Sequence, residues 1–179
     1  MRYAAFFRNV NLGRPRSPTR AQLEAAFLES GAATAVSFLV NGTLVYAPAP
    51  GCRARDVAAR ACAAMRASCG LREPVFVRGV GALAELVARD PFAGVAAAGG
   101  DAHCITFLGA HRVPLPALPF VTERGDVELH AFIDNEALSV SRLVGRSPGS
   151  PNALLERWFQ APATTRNWRT VVRLVDKFA

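Results

Sequence analysis

The chain has 179 residues, of which 51% are hydrophobic and 20% are charged. This composition excludes an intrinsically disordered chain, and the length predicts one compact domain or two lobes that share an interface. No apolar run approaches the roughly 18–20 residues of a membrane span, and the apolar part of MRYAAFFRNVNLG is too short for a signal peptide. The sequence therefore predicts a cytoplasmic protein without a membrane partner.

The basic charge of the chain has two interpretations. The formal net charge is +7, and all but one of the 21 basic residues are arginines. A basic surface is compatible with nucleic acid, an anionic ligand or an acidic partner. The arginines are, however, spread along a chain rich in Ala, Gly and Pro, which is the bias that a GC-rich genome would impose. The charge alone does not decide between function and composition.

The cysteines and histidines predict neither a metal nor another cofactor. They form no C-x-x-C motif and do not have the spacing of zinc ligands. The residues are Cys52, Cys62, Cys69, Cys104, His103, His111 and His130. Cys62 and Cys69 are seven residues apart and share one face of a predicted helix, so we expect core thiols there.

The first 79 residues predict a ferredoxin-like lobe, with the order strand, helix, strand, strand, helix, strand. The predicted elements are a strand at 2–7, a helix with Ser17 as N-cap and Pro18 at its first position that ends at Gly31, strands TAVSFLV and TLVYA, a helix at 54–69 closed by Gly70, and a strand at 74–78. Asn41-Gly42 indicates a hairpin between the two middle strands, because both residues tolerate positive φ.

Residues 80–179 predict a second lobe, a diverged α/β unit packed on the first, so that the chain is a two-lobed α/β sandwich of the α+β class. Its predicted elements are a helix at 82–90, a strand at 103–109, a proline-broken loop at 113–119, a hairpin of FVTER and DVELHAFI around Gly125-Asp126, a further strand at LSVSRL, a helix with Asn152 as its cap, and a last helix that begins near Thr164.

The segment TTRNW (164–168) carries more polar residues than a helix cap requires. With Thr164 as N-cap and Trp168 opening the apolar stripe, Thr165, Arg166 and Asn167 have no local role. A helix N-terminus attracts anions, so these three side chains predict a phosphate or carboxylate site. The alternative is that Arg166 and Asn167 tie the helix to the neighbouring lobe.

Two further loops offer candidate ligand contacts. RNVNLG follows the first strand and supplies Arg8 and Asn11, and GRSPGS supplies Arg146 and Ser147. Neither loop has the spacing of a Gly-rich phosphate loop, and asparagines are also common loop formers. Ser147 as a nucleophile would need a base and an oxyanion hole; the sequence shows neither, and the motif G-x-S-x-G is absent.

No catalytic group emerges from the sequence, which leaves open whether the protein is an enzyme. The acidic residues near the predicted second hairpin are expected on a solvated sheet face; they are Asp126, Glu128, Asp134 and Glu136. His103 and His130 lie in strand-like runs and are expected to be structural.

Five segments together resemble a bacterial family, the domain of unknown function 1697 (DUF1697), over nearly the full chain: FFRNVNLG, SFLVNGTLVY, DPF (90–92), GRS (145–147) and ATTRNWRTV. TTRNW is the most specific of them. The resemblance implies small cytoplasmic α+β proteins without an established activity, two ferredoxin-like lobes and an unassigned pocket. The chain departs from the family pattern at Asn9, at Asn41-Gly42-Thr43, and at Leu143 and Pro148 around GRS, so an anion site built by these loops is altered here.

Three hypotheses follow. The first is a small anionic ligand, carrying phosphate or carboxylate, in a cleft between the lobes, with guanidiniums for charge and hydroxyls and amides for orientation; the candidate contacts are Arg8, Asn11, Arg146, Ser147, Thr165, Arg166 and Asn167. The second is RNA binding through a basic, open ferredoxin-like sheet face, for which Phe38 and Tyr46 are the available aromatics. The third is an enzyme that acts on a small phosphorylated or carboxylated metabolite at the same site.

Overall fold

The computed structural model describes residues 1–109 and 114–179, which form two compact units. The first unit is Met1–Glu85 with Leu174–Ala179, and the second is Leu86–Arg173. The units divide between Glu85 and Leu86, whereas the sequence places the boundary after residue 79. His111 and the beginning of the predicted loop at 113–119 lie outside the described residues.

The first unit contains one four-stranded antiparallel sheet in the order β2-β3-β1-β4. Its elements are β1 (Tyr3–Phe7), α1 (Arg20–Glu29), β2 (Ala32–Leu39), β3 (Thr43–Pro48), α2 (Ala54–Cys69) and β4 (Val75–Gly79), followed by α3 (Val80–Ala88), inside which the units divide. The observed order of strands and helices is the order that the sequence predicts for residues 1–79.

The predicted hairpin joins β2 and β3 through Asn41-Gly42. Gly42 has a φ of 69°, and a Cβ at this position would touch Val10 at 2.7 Å. Its carbonyl also accepts a hydrogen bond of 2.9 Å from the amide of Phe7, at the end of β1. Glycine is therefore required here both by the left-handed conformation and by a close approach.

Helix α1 begins later than predicted, because Thr19 rather than Ser17 is its N-cap. The hydroxyl of Thr19 accepts from the amide of Gln22 at 3.2 Å, and the side chain of Gln22 accepts from the amide of Thr19 at 2.8 Å. This reciprocal pair is a capping box, and the spacing Thr-x-x-Gln that builds it is present in the sequence. The prediction of Ser17 as the cap is wrong.

The core of the first unit lies between the sheet and helices α1 and α2. Helix α2 has the predicted bounds and ends on Gly70, whose φ is 72°. The buried side chains from both helices and from β1 and β3 form one cluster that includes Leu23, Phe27, Val57, Met65, Phe7 and Tyr46. Cys62 and Cys69 pack against this cluster, and burial raises the pKa of Cys62 to about 11. The expectation of core thiols is confirmed for these two residues.

The opposite face of the same sheet is also buried at its centre. Ala4 and Phe6 of β1 are fully buried, and Val45 of β3 and Phe76 of β4 are 4% and 7% exposed. Since successive residues of a strand point to opposite faces, the central strands of this sheet expose neither face to solvent.

At the edge of the sheet, two side chains of α1 form hydrogen bonds with backbone groups of β2. The amide of Ser37 donates to the carboxylate of Glu24 at 2.7 Å, and the guanidinium of Arg20 donates to the carbonyl of Ser37 at 3.1 Å. The neighbouring Val36 is 43% exposed. Both backbone groups of Ser37 are therefore engaged within the unit.

The second unit is built on a five-stranded antiparallel sheet in the order β11-β5-β8-β7-β6, with a separate β9–β10 hairpin. Its elements are β5 (Ala102–Leu108), β6 (Phe120–Val121), β7 (Val127–Ile133), β8 (Glu136–Ser141), β9 (Leu143–Val144), β10 (Ser147–Pro148), α4 (Pro151–Phe159), β11 (Ala163–Asn167) and α5 (Trp168–Phe178). The last part of α5, Leu174–Phe178, belongs to the first unit. The predicted hairpin around Gly125-Asp126 is confirmed as β6 and β7.

Helix α4 packs on one face of this sheet through Leu154, Leu155 and Phe159. Its N-cap is Ser150, whose hydroxyl accepts from the amide of Ala153 at 3.2 Å, with Pro151 at the first helical position. Serine followed by proline satisfies both preferences of a helix start. The prediction of Asn152 as the cap is wrong by two residues.

The segment GRSPGS is held to the sheet at Gly149, the buried residue of an otherwise exposed turn. The hydroxyl of Ser141 donates to the carbonyl of Gly149 at 2.8 Å, and the amide of Gly149 donates to the carbonyl of Arg142 at 3.0 Å. A Cβ on Gly149 would overlap the backbone carbonyl of Asp126. Gly149 is therefore fixed by a close approach of two backbone segments.

The predicted mixed α+β class is confirmed: the described residues contain five helices and antiparallel sheets. None of the helices found in residues 1–109 and 114–179 is both long and apolar enough to cross a membrane.

We expect Gly149→Ala to lower the free energy of unfolding by about 1–3 kcal/mol, because the added methyl group overlaps a backbone carbonyl and forces the turn apart. Gly81→Ala is the matched control, since a Cβ at exposed Gly81 in α3 meets no atom within 4 Å and alanine favours a helix. Urea unfolding of both variants measures the difference, and equal midpoints would contradict the prediction.

Candidate functional site

The segment TTRNW does not begin a helix at Thr164; it forms most of an edge strand. Residues Ala163–Asn167 are β11, which pairs with β5 so that Thr165 lies opposite Thr106 and Asn167 lies opposite Cys104. β-branched threonines favour a strand, and α5 begins only at Trp168. The predicted helix start near Thr164, with Thr164 as its N-cap, is wrong.

Arg166 is buried. It is 7% exposed, and its Nη1 donates to the hydroxyl of Thr164 at 2.8 Å and to the carbonyl of Thr165 at 2.9 Å. Burial lowers the pKa of the Arg166 guanidinium to about 10, so it remains charged at neutral pH. The side chain of Arg166 is thus directed to its own strand, on the same face as Thr164.

Thr165 lies on the other face of β11, under helix α4. Its hydroxyl is 2.8 Å from the hydroxyl of Thr106 and donates to the side chain of Asn152 at 3.5 Å. These contacts connect β11 with β5 and α4, which gives Thr165 a structural role.

Asn167 is exposed and is the residue that caps helix α5. Its side-chain oxygen accepts from the amide of Arg169 at 2.9 Å, which is the contact of an N-cap residue. The polar segment therefore lies in a strand, and its last residue, Asn167, also caps the following helix.

A pocket of about 610 Å³ adjoins the beginning of α5. Its lining comes from the loop before β5, from the first residues of β5 and from the start of α5: Val95, Ala97–His103 and Asn167–Arg169. Gly99 and Gly100 contribute no side chains, and a Cβ on Gly99 would meet no atom within 4 Å. The pocket thus combines an open glycine loop, a helix N-terminus and the exposed residue Arg169.

Asp101 holds the glycine loop in place. Its carboxylate accepts from the amide of Leu143 at 3.1 Å, from the amide of Ala98 at 3.2 Å and from the guanidinium of Arg142 at 3.1 Å. These hydrogen bonds hold the pKa of Asp101 below its usual value, and the one from the amide of Leu143 has the largest effect. Arg142 also donates to Glu128 at 2.5 Å, so one guanidinium ties the loop to β7.

Two rings of the pocket lining, those of His103 and Trp168, both pack against Phe92. The ring of His103 stacks on Phe92 with centroids 4.4 Å apart, and Trp168 meets Phe92 edge to face at 5.4 Å. Nε2 of His103 lies 3.1 Å from the carbonyl oxygen of Val95. The imidazole is therefore fixed in orientation at the pocket.

The remaining predicted contacts lie elsewhere in their units. Arg146 and Ser147 are exposed in the β9–β10 hairpin of the second unit. Arg8 and Asn11 belong to the first unit, where Arg8 pairs with Glu73 at 2.8 Å and Asn11 is exposed. Of the seven predicted residues, Asn167 is among those that line the pocket.

The acidic residues of the second hairpin behave differently from each other. Asp134 is exposed, as expected. Glu136 is only 7% exposed, however, so the expectation of a solvated position is wrong for this residue. Asp126 accepts from the hydroxyl of Thr122 at 2.7 Å, which is a turn contact.

The described residues contain no group of three or more His, Cys, Asp or Glu side chains that could hold a metal ion. Cys104 is 7% exposed, and burial raises its pKa to about 11. It is a neutral core thiol at physiological pH.

Arg169, Asp101 and the loop Gly99-Gly100 line the pocket but are not among the contacts that the sequence predicts. Two glycines followed by an acidic residue and a strand were a usable signal for a loop that approaches another backbone closely. Arg169 was hidden because the helix start was placed four residues too early, which put this residue in the interior of the predicted helix.

The fold and pocket together define a small α+β protein with antiparallel sheets and a polar pocket at a helix start. A family model described as "Protein of unknown function (DUF1697)" matches residues 1–136, and the chain belongs to this family. No curated protein matches the chain.

A solved structure, that of the conserved bacterial protein SP0830 from Streptococcus pneumoniae, is similar with a TM-score of 0.68. It is 13% identical, and the similarity covers 98% of this chain and 97% of that one. At this identity the likeness concerns the fold alone.

We expect Asp101→Asn to lower stability at pH 6, and the loss to disappear in acid. A carboxyl group with a lowered pKa contributes stability that is fully present above the unfolded pKa of about 3.9 and is lost as the pH falls through the folded pKa. Urea unfolding of wild type and variant at a series of pH values from 6 to 2.5 measures the difference. A constant difference across this range would contradict the assignment.

The control is Asp56→Asn, which removes an exposed partner of Arg53. An exposed ion pair on a helix contributes little, so this variant is expected to unfold close to the wild type at pH 6.

Proposed function

We propose that this protein binds a small ligand carrying a phosphate or carboxylate group, and that the pocket of the second unit receives that group. One observation carries the proposal: the loop Gly99-Gly100, the first turn of α5 and the exposed cationic residue Arg169 border one pocket.

The chemistry of this lining favours an anion. The first turn of a helix has amides without intrahelical partners and the positive end of the helix dipole. Asn167 occupies one of these amides, that of Arg169. Glycines let a ligand approach the loop backbone closely, and a guanidinium binds carboxylate or phosphate through charge-assisted hydrogen bonds.

The carboxylate of Asp101, which belongs to the lining, would repel an anion if its own charge were not balanced. Asp101 is engaged by two backbone amides and by Arg142, and its side chain is 8% exposed. Its charge is therefore compensated within the unit, and its role is to shape the loop.

The other predicted contacts are not part of the pocket lining. Arg146, Ser147, Arg8 and Asn11 stay predictions. Thr165 and Arg166 also stay predicted contacts, and their observed hydrogen bonds favour a role in positioning β11, whose end carries Asn167. TTRNW as a signature of the family stays a prediction too, since the matched residues end at 136.

We further propose that the first unit is a ferredoxin-like lobe. The support is its element order, strand, helix, strand, strand, helix, strand, together with the antiparallel strand order β2-β3-β1-β4.

RNA binding to an open face of that sheet stays the alternative prediction. The two aromatic residues that it needs, Phe38 and Tyr46, are packed inside the unit or against another ring. Tyr46 is fully buried, its hydroxyl donates to the carbonyl of Ala54 at 2.8 Å, and burial raises its pKa. Phe38 is half-buried and meets Phe178 edge to face at 5.9 Å. Neither ring is placed for stacking with bases.

Enzymatic turnover of the ligand also stays a prediction. The titratable side chains that line the pocket are Asp101, His103 and Arg169. A thermal-shift screen with sugar phosphates, nucleotides and carboxylic acids would select the ligand class, because a ligand that binds the native state raises the melting temperature.

The decisive variant is Arg169→Gln, titrated with inorganic phosphate and with acetate by two-dimensional amide NMR. We expect shifts at Ala98–Asp101 and at the start of α5 in the wild type, and affinity weaker by about tenfold or more in the variant. The reason is that a hydrogen bond to a charged group contributes roughly 1.5–3 kcal/mol. Affinity equal to that of the wild type would refute the pocket assignment.

Arg89→Gln is the matched control, because Arg89 is exposed in the same unit and is not part of the pocket lining. It removes the same charge and is expected to leave the affinity unchanged. Titration with a short single-stranded RNA tests the alternative: shifts confined to the first unit, weakening steeply with salt, would favour nucleic-acid binding.

A further inference from the structure

His103 is an ionisable side chain in the lining of the pocket that the proposed function does not use. It is half-buried in β5, and stacking on Phe92 with an interplanar angle of 13° fixes its ring. The sequence predicts a structural histidine here, whereas the position at the pocket gives the side chain access to a ligand.

The contact with Val95 determines which ring nitrogen can titrate. A backbone carbonyl only accepts, so Nε2, 3.1 Å from the oxygen of Val95, carries a hydrogen in both the neutral and the charged ring. Nδ1 is then the nitrogen that gains and loses the proton. Protonation at Nδ1 adds a positive charge and an N–H donor without breaking the contact with Val95.

Nδ1 of His103 is the ring nitrogen that remains for a ligand. The contact to Val95 is made by Nε2, and His103 belongs to the lining of the pocket. A protonated Nδ1 could therefore donate a hydrogen bond to an anion bound there.

We propose that His103 is a further binding residue of this pocket, and that its protonation strengthens the binding of a tetrahedral oxyanion such as sulfate or the phosphate of a phosphomonoester. This inference rests on the proposed function, because it concerns the same site. Binding is then coupled to proton uptake: the bound dianion favours the imidazolium, and acid pH favours the bound state.

Other charged groups approach His103 from the elements around it. Arg169 of α5 and Asp101 of the loop share its pocket, and Arg166 of β11 lies opposite Ile105, two residues from His103 along β5. Across β8, His103 pairs with Val140, which pairs in turn with Glu128 of β7. Arg89 and Asp90 come just before Phe92, on which the ring stacks, and both are exposed. The carboxylates of Asp101 and Glu128 are engaged by Arg142, so a bound dianion would bring a new negative charge to the pocket.

The test is a titration of the full chain with sulfate between pH 5.5 and pH 8.0. Sulfate keeps its double charge over this range, whereas inorganic phosphate changes its own charge there. We expect the wild type to bind sulfate about tenfold more tightly at pH 5.5 than at pH 8.0, as a charge-assisted hydrogen bond requires. His103→Gln keeps a side-chain N–H but cannot titrate, so its affinity is expected to be the same at both pH values.

The other two histidines supply matched controls. His111→Gln and His130→Gln remove the remaining imidazoles of the chain, and each is expected to keep the pH dependence of the wild type. A wild-type measurement covers the case in which His103→Gln fails to fold: the NMR titration midpoint of His103 is expected to move to higher pH when sulfate is present.

The outcomes separate the two proposals. Sulfate binding that is independent of pH, or a pH dependence that survives in His103→Gln, overturns the role of His103 and leaves the proposed function standing. Binding of phosphate or acetate without binding of sulfate has the same meaning. If none of these anions binds at either pH, the proposed function itself fails.

Discussion

The pocket of the second unit depends on how the carboxylate of Asp101 is satisfied. It accepts hydrogen bonds from two backbone amides and from Nη1 of Arg142. Nη2 of Arg142 donates to Glu128 on β7. A loop rich in alanine and glycine has little side-chain packing of its own, so its conformation must come from polar contacts with a rigid element. The sheet supplies that element, and the loop and the helix start then face each other across a defined space.

Local chemistry explains which parts of the fold were predictable from the sequence. The Asn-Gly hairpin, the helix at 54–69 and its Gly70 cap depend on residues within a few positions of each other, and the structure agrees with all three. Cap positions were less certain because serine, threonine and asparagine compete for them. The choice between Ser17 and Thr19 was decided by Gln22, three residues beyond the true cap.

The candidate site was less predictable because its parts are distant along the chain. Thr164 and Thr165 suit either a cap or a strand, and pairing with β5, about sixty residues earlier, decides for the strand. That choice buries Arg166 and moves the helix start to Trp168, where Arg169 becomes the exposed cation. Asn167 stays beside the helix start, within the first turn in the prediction and as the cap in the structure.

The edge strand β2 carries a further consequence. An open sheet edge with apolar neighbours such as Val36 is a template for a foreign strand, and natural proteins protect such edges. Here Glu24 and Arg20 bind both backbone groups of Ser37 midway along the strand. An incoming chain would have to displace two charged side chains before it could form a continuous ladder, so the first helix also guards the molecule against self-association through that edge.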